Sequence, residues 1–181
     1  LVVANRFSDD VSVLLGNGYG TFQAHQSFAA GYCPFSVVVA DINGDGIPDL
    51  VTANLLSDDV SVLMGNGNGT FQAQQSFAVG DVPLSVVVAD LNGDAVPDLV
   101  TANQAYNNVS VLYGNGNGTF GIAQFFAAGA RPSEVSVSDL NSDGVPDLVT
   151  ANGSSNDVSV LLGNGDGTFQ TQPVPPGFAA G

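Results

Sequence analysis

Apolar residues along this chain come in short runs, alternating or consecutive, cut by clusters of Gly, Asn and Asp. Nowhere do they settle into the three-to-four-residue spacing of a helix face. Between residues 36 and 84 four segments carry the pattern: Ser36 to Ala40, Leu50 to Ala53, Val60 to Met64 and Phe71 to Phe77. The second and third are β-branched and partly alternating, whereas Val37, Val38 and Val39 run consecutively, as in a strand covered on both faces. Four short strands separated by turn residues predict one antiparallel sheet.

The pattern repeats. Gly16, Gly65, Gly114 and Gly163 each open a G-N-G-x-G-T-F run, successive copies lie 49 residues apart, and Asp41, Asp90 and Asp139 keep the same interval. A fixed period of about 40 to 50 residues with four strands per unit predicts radial repetition, each unit a blade packed against its neighbours. A stacked β-helix has a much shorter repeat, and a sandwich of duplicated hairpins needs no constant period. The expected fold is all-β, a β-propeller of four-stranded antiparallel blades, about four in this chain. A single propeller segment over 1–181 divides into blades near 1–31, 32–80, 81–129 and 130–181.

The first blade lacks its opening strand, and the Pro- and Gly-rich tail from Pro173 to Gly181 offers no substitute. The chain also starts inside a repeat, without an initiator Met or a leader pattern. The expectation is a piece of a longer protein, its open blade edge completed by another segment or by a second copy in a homo-oligomer. Closure of four blades alone is the other outcome.

Composition narrows the function. A 44% hydrophobic content excludes simple disorder, and no 18-residue apolar run predicts membrane insertion. Seventeen acids stand against Arg6 and Arg131, with no lysine, for a net charge of -15. Such a surface repels nucleic acid and anionic membranes and attracts cations. Nine of the seventeen acids fall in one repeated loop, so the charge is concentrated rather than spread as a solvating coat.

That loop, residues 41 to 49, reads Asp-Ile-Asn-Gly-Asp-Gly-Ile-Pro-Asp, and the loops from Asp90 and Asp139 follow the same plan. Side-chain oxygens at positions 1, 3, 5 and 9, with a backbone carbonyl at 7, suit a hard cation taking six to eight oxygen ligands, calcium before magnesium. No His or Cys lies there to favour zinc or copper. Gly46 and Gly144 at position 6 predict a left-handed turn. Pro48, Pro97 and Pro146 push the preceding Ile47, Val96 and Val145 into extended backbone. Ala95 replaces the glycine in the second loop, where a β-carbon costs about 1 kcal/mol, or about fivefold in affinity. That site is expected to be the weakest of the three. A plain polar turn is the alternative, but turns do not need three converging carboxylates.

The loops D-I-N-G-D-G-I-P-D, D-L-N-G-D-A-V-P-D and D-L-N-S-D-G-V-P-D are each followed by L-V-T-A-N and V-S-V-L-x-G-N-G-x-G-T-F. Together they resemble the FG-GAP or VCBS repeat, similar to the calcium-bearing blades of integrin alpha-subunit propellers. The resemblance covers essentially the whole chain and implies a propeller with calcium in the loop between a blade's first two strands. The implied ligands are Asp41, Asn43, Asp45, the Ile47 carbonyl and Asp49. The equivalent sets are Asp90, Asn92, Asp94, Val96 and Asp98, and Asp139, Asn141, Asp143, Val145 and Asp147. Similar repeats occur in secreted bacterial proteins, integrins and fungal lectins.

Other motifs carry less. The G-N-G-x-G-T-F run lacks the following helix and Lys of a phosphate loop, so it reads as a hairpin turn with Phe22, Phe71, Phe120 and Phe169 as core residues. His25 stands alone, no nucleophile constellation surrounds it, and no enzyme is expected. Cys33 is the only cysteine, which excludes an intrachain disulfide. Asn68, Asn108, Asn117 and Asn152 open N-x-S/T sequons.

Two windows vary between copies: Tyr32-Cys33, Asp81-Val82 and Ala130-Arg131, and Leu55-Leu56, Gln104-Ala105-Tyr106 and Gly153-Ser154. Loops that vary on a repeated scaffold are where a ligand is read. The expected function is a non-catalytic, calcium-binding propeller module for adhesion or for binding a protein or glycan. Structural calcium sites fit an extracellular, cell-surface or periplasmic setting, where calcium is abundant. A lectin, or an accessory module of a secreted carbohydrate-active enzyme, is the alternative.

Overall fold

The computed structural model describes residues 1–171. The Pro173 to Gly181 tail, expected to add no strand, lies outside the described residues. Among those described, no helix is long and apolar enough to cross a membrane.

Among the described residues fifteen strands form four antiparallel sheets, each with its strands in sequence order. β1 (Val2–Asn5), β2 (Asp10–Val13) and β3 (Gln26–Ala29) make a three-stranded sheet. The second holds β4 (Pro34–Ala40), β5 (Asp49–Asn54), β6 (Asp59–Leu63) and β7 (Gln75–Ala78). The third holds β8 (Pro83–Ala89), β9 (Asp98–Asn103), β10 (Asn108–Leu112) and β11 (Gln124–Ala127). The fourth holds β12 (Pro132–Ser138), β13 (Asp147–Asn152), β14 (Asp157–Gly163) and β15 (Phe169–Thr171). β1 lies against β4, β4 against β8 and β8 against β12, with no comparable contact from β12 back to β1 among the described residues. The sheets are therefore arrayed as propeller-like blades in an arc that does not close.

Two strands differ from expectation. The inner strand starts earlier, at Pro34, because a register shift between Pro34 and Ser36 lets the proline pair opposite Asn54. Proline is tolerated at the first residue of a strand, where no ladder donor is needed. The outer strand is split: Phe71 makes only an isolated bridge with Gly65, and pairing resumes at Gln75. Between them Gln74 turns inward, its Nε2 donating to the Ala30 carbonyl at 3.1 Å.

Apolar side chains fill the spaces between successive sheets. Ile42, Val51, Val60, Val62, Leu99 and Leu112 are among those packed between the second and third sheets. Leu91, Val100, Val109, Val135, Leu148 and Leu161 do the same between the third and fourth. Phe71, Phe120 and Phe169 stand edge-on to Phe28, Phe77 and Phe126 of the preceding sheet, with centroids 5.1, 5.2 and 5.2 Å apart. Among the described residues no ring stands against Phe22, which is 49% exposed, so the G-T-F phenylalanine is a core residue only where a neighbour covers it.

Buried polar residues knit each blade. Asn54 donates to Asp59 Oδ1 at 2.7 Å and to Ser61 Oγ at 2.8 Å, and its Oδ1 accepts from Thr52 Oγ1 at 2.8 Å. Ser61 Oγ also accepts the Gly31 N–H from the connection before β4, which ties one blade to the next. Among the described residues no buried side-chain nitrogen or oxygen lacks a partner.

Candidate metal loops and variable rim

The first aspartate of each aspartate loop is a hub for backbone donors. Asp41 Oδ1 accepts from the Gly44 N–H at 2.8 Å and the Asp45 N–H at 3.1 Å, and Oδ2 accepts from Gly46 at 2.8 Å. Asp90 accepts from Gly93 and Ala95, and Asp139 from Asp143 and Gly144. Wrapping the chain this way needs left-handed backbone at position 6, and φ there is +80° at Gly46, +65° at Ala95 and +83° at Gly144. Asn43 Nδ2 donates to Asp45 Oδ2 at 2.9 Å, and Asp45 Oδ1 accepts from the Ile47 N–H at 2.7 Å. Asn92 with Asp94, and Asn141 with Asp143, repeat this pairing, and Val96 and Val145 repeat the Ile47 bond.

The ninth position lies deeper. Asp49, Asp98 and Asp147 have no exposed surface, and each spans two distant backbone donors. Asp49 Oδ2 accepts from Ile42 at 2.9 Å and Oδ1 from Gly65 at 2.7 Å. Asp98 takes Leu91 and Gly114, both at 2.9 Å, and Asp147 takes Leu140 and Gly163, both at 2.8 Å. This carboxylate thus fastens the aspartate loop to the glycine that opens the G-N-G-x-G-T-F turn. Reading it only as a ligand missed that task, although the unvarying 16-residue interval from aspartate to glycine carries the signal. Burial pushes the Asp98 carboxyl up, the two N–H donors oppose it, and the nearby charges of Asp94 and Asp90 add to the rise.

Positions 1, 3 and 5 are therefore gathered in each surface loop, with position 9 in the interior beneath. Among the described residues no three acidic side chains converge as a ready-made metal cluster. The donor chemistry nevertheless fits a hard divalent cation. A carboxylate offers about four lone-pair sites, and the bonds above occupy three on Asp41 and two each on Asp45 and Asp49. Ile47 and its copies place their side chains over the neighbouring turn: a Cβ added at Gly65 would lie 2.8 Å from Ile47 Cγ2.

On the connections between β5 and β6 and their counterparts, the two variable windows become neighbours. The Leu55 N–H donates to the Cys33 carbonyl at 3.0 Å and Leu56 to Tyr32 at 3.2 Å. Gln104 and Ala105 donate to Val82 and Asp81, and Gly153 and Ser154 to Arg131 and Ala130. Asp9 Oδ1 accepts from the Cys33 N–H at 2.9 Å, Asp58 from Val82 at 2.9 Å and Asn107 from Arg131 at 2.8 Å, across successive blades. Sequence-variable side chains are thereby displayed as one rim on an invariant backbone. Among the described residues His25 makes no side-chain hydrogen bond, and two of the sequon asparagines, Asn108 and the buried Asn152, belong to the blade networks.

A structure of a functionally unknown protein from Desulfotomaculum acetoxidans superposes with a TM-score of 0.63 at 15% identity, covering 95% of this chain and 54% of that one. This chain thus spans about half of that protein, and the likeness is one of fold. An Agrocybe aegerita lectin described as recognising non-reducing terminal N-acetylglucosamine matches with a TM-score of 0.45 at 21% identity, over 94% of this chain and 62% of the lectin. The V. cholerae biofilm matrix protein Bap1 matches with a TM-score of 0.46 at 17% identity, over 93% of this chain and 29% of that one. No curated protein matches the chain at a significant level. The FG-GAP-like repeat is matched four times in succession, over residues 1–52, 48–101, 96–150 and 139–181. With matched repeats running from end to end of a chain built of blade-like sheets, the protein belongs to the FG-GAP-like repeat family.

Proposed function

We propose that the chain is a non-catalytic, calcium-binding module whose repeats present a ligand-binding rim outside the cell. The observation that carries the calcium reading is one oxygen-donor plan built three times, with left-handed backbone at position 6 and lone pairs still free on the aspartates. The holders in each loop are Asp41, Asn43, Asp45, the Ile47 carbonyl and Asp49, and their counterparts at Asp90 to Asp98 and Asp139 to Asp147. A bound calcium would supply positive charge beside the aspartates of each loop, in a chain of net charge -15.

The loop's own residues supply the rest. Asp41 orders the turn through three backbone donors, and Asp49 anchors it to the G-N-G turn. Calcium that binds only the folded loop stabilises by mass action, about 2.7 kcal/mol per site at a hundredfold excess over Kd. Millimolar calcium outside the cell favours that placement.

Thermal unfolding with and without chelator, joined to a calorimetric calcium titration, tests the reading. A clear fall in Tm on chelation and rebinding of about three ions support it. A melt and a heat signal both indifferent to calcium overturn it and leave the loops as turns. Adhesion to a protein is the first role for the rim. A glycan-binding role is favoured by its exposed aromatics, Phe7, Tyr32 and Tyr106.

A further inference from the structure

Arg6 is one of only two side chains of the Lys and Arg class, and it stands beside two exposed aromatic rings, those of Phe7 and Phe35. It follows β1, and its Cζ lies 5.7 Å from the Phe7 ring centroid and 5.7 Å from that of Phe35. Its Nε donates to Cys33 Sγ at 3.3 Å. Phe35 and Cys33 belong to the second sheet's inner strand and its approach, so the guanidinium bridges the first two blades. Its terminal nitrogens meet no acceptor among the described residues. Arg131, by contrast, spends one terminal nitrogen on Gln104 Oε1 at 3.0 Å. Around Arg6 the surface is apolar and open: Phe7 is 96% exposed, Tyr32 58%, Leu56 53% and Phe35 47%.

We propose that this junction binds a carboxylate-bearing sugar, a uronate unit, with Arg6 gripping the carboxylate and the neighbouring rings lying against the sugar's C–H face. A planar guanidinium fork matches a carboxylate with two parallel hydrogen bonds. The Phe35 ring and the Cys33 contact orient the fork before ligand arrives, which lowers the ordering cost of binding. The size of the patch also selects the ligand. A stable protein interface needs about 800 Å² and some 20 residues a side, whereas this patch is a handful of residues at one junction. At the equivalent positions the next junction carries Leu55, Leu56, Asp81 and Leu84, and the one after it Gln104, Ala105, Ala130 and Ser133, so neither an arginine nor an aromatic recurs at these four positions. Asp9, the nearest acid on the same turn, is turned to the Cys33 N–H. The other charges of the chain are screened beyond about 8 Å at physiological salt.

The inference rests on the reading of the chain as a binding module and not on calcium, so the chelation experiment and this one fail independently. Isothermal titration at physiological salt compares trigalacturonate, neutral maltotriose, a sulfated trisaccharide and an acidic tripeptide. Trigalacturonate is expected to bind with Kd on the order of 0.1 to 1 mM and maltotriose at least about tenfold more weakly. Arg6→Gln is expected to weaken trigalacturonate about tenfold at unchanged Tm. Phe7→Ala, at a side chain almost wholly in solvent, is expected to weaken it severalfold, and serves if Arg6→Gln unfolds the junction. Equal binding of maltotriose, or variants that bind as wild type, overturn the proposal. So do tighter binding of the sulfated sugar or the tripeptide, and no heat with trigalacturonate at about 5 mM.

Discussion

The Gly65 N–H donates to Asp49 Oδ1 at 2.7 Å, so a carboxylate with no exposed surface joins two motifs that the sequence keeps 16 residues apart. Asp49 accepts the Ile42 N–H on its other oxygen. Asp49→Asn puts an amide donor against one of these N–H groups and orphans it, a cost of about 1–3 kcal/mol. That loss is expected by urea unfolding in chelator, where no lost calcium binding adds to it. Asp45→Asn, on the exposed part of the loop, is expected to change chelated stability by less than about 0.5 kcal/mol and to show its effect in calcium titration. Equal, small effects of both substitutions in chelator would remove the anchoring role from Asp49.

Ala95 holds φ at +65° where its counterparts are glycines. The left-handed turn is closed by the Ala95 N–H to Asp90 Oδ2 at 2.9 Å, so strain of about 1 kcal/mol weighs on folding of the loop as well as on ion binding. Ala95→Gly is expected to raise the unfolding free energy in chelator and to tighten the second site, the two gains sharing that ~1 kcal/mol. Urea unfolding and calorimetry on the same variant measure both. A less stable protein, or a weaker second site, counts against the strained turn.

Much of this architecture was legible because the repeat is strict. The 49-residue period, the antiparallel sheets and the left-handed position 6 follow from where Gly, Pro and Asp recur. The split outer strand was not legible in the run from Phe71 to Phe77, and the same split recurs in the first and third sheets, where His25 and Ala123 stand at the Gln74 position, so it does not depend on the bond from Gln74 to Ala30. The burial of Asp49, Asp98 and Asp147 was hidden for a related reason: their partners Gly65, Gly114 and Gly163 are chosen by packing across the blade. The meeting of the two variable windows is likewise a relation between blades. Arg6, Phe35 and Cys33 come together only when β1 and β4 are placed side by side.

The Tyr113 hydroxyl donates to the Gly167 carbonyl of the following blade. Burial first, then the charges of Asp98 and Asp166, push its pKa up from 10.0 to about 12. A group whose folded value is raised contributes stability that is whole below the unfolded value and lost as pH rises through the folded one. Stability is therefore expected to fall between pH 10 and about 12, and Tyr113→Phe is expected to flatten that part of the profile. The variant should fold, since Leu15 and Met64 occupy the same position in earlier blades and reach the equivalent Gly69 and Gly118. Urea midpoints across this pH range, compared between the two proteins, measure the difference. An equally steep fall in Tyr113→Phe would assign the alkaline loss to other groups.

Gly80 and Asn103 offer a test of how one blade is tied to the next. A Cβ built on Gly80 would lie 2.5 Å from Asn103 Nδ2 and 2.7 Å from its Cγ. That amide is fully buried and donates to Asn108 Oδ1 and Ser110 Oγ, both at 2.8 Å, while Ser110 Oγ also accepts the Gly80 N–H at 3.0 Å. Gly80→Ala must therefore displace the hub of the network, at a cost of about 1–3 kcal/mol for overpacking. Asn103→Ala leaves the hub empty and orphans its partners, a loss of about 2–3 kcal/mol. In the double variant the added methyl occupies the space the amide vacates, so the combined loss is expected to fall short of the sum by about 1–2 kcal/mol. Urea unfolding of the four proteins closes the cycle. Strict additivity would mean that the glycine is required by its backbone alone and that the contact with Asn103 does not couple the blades.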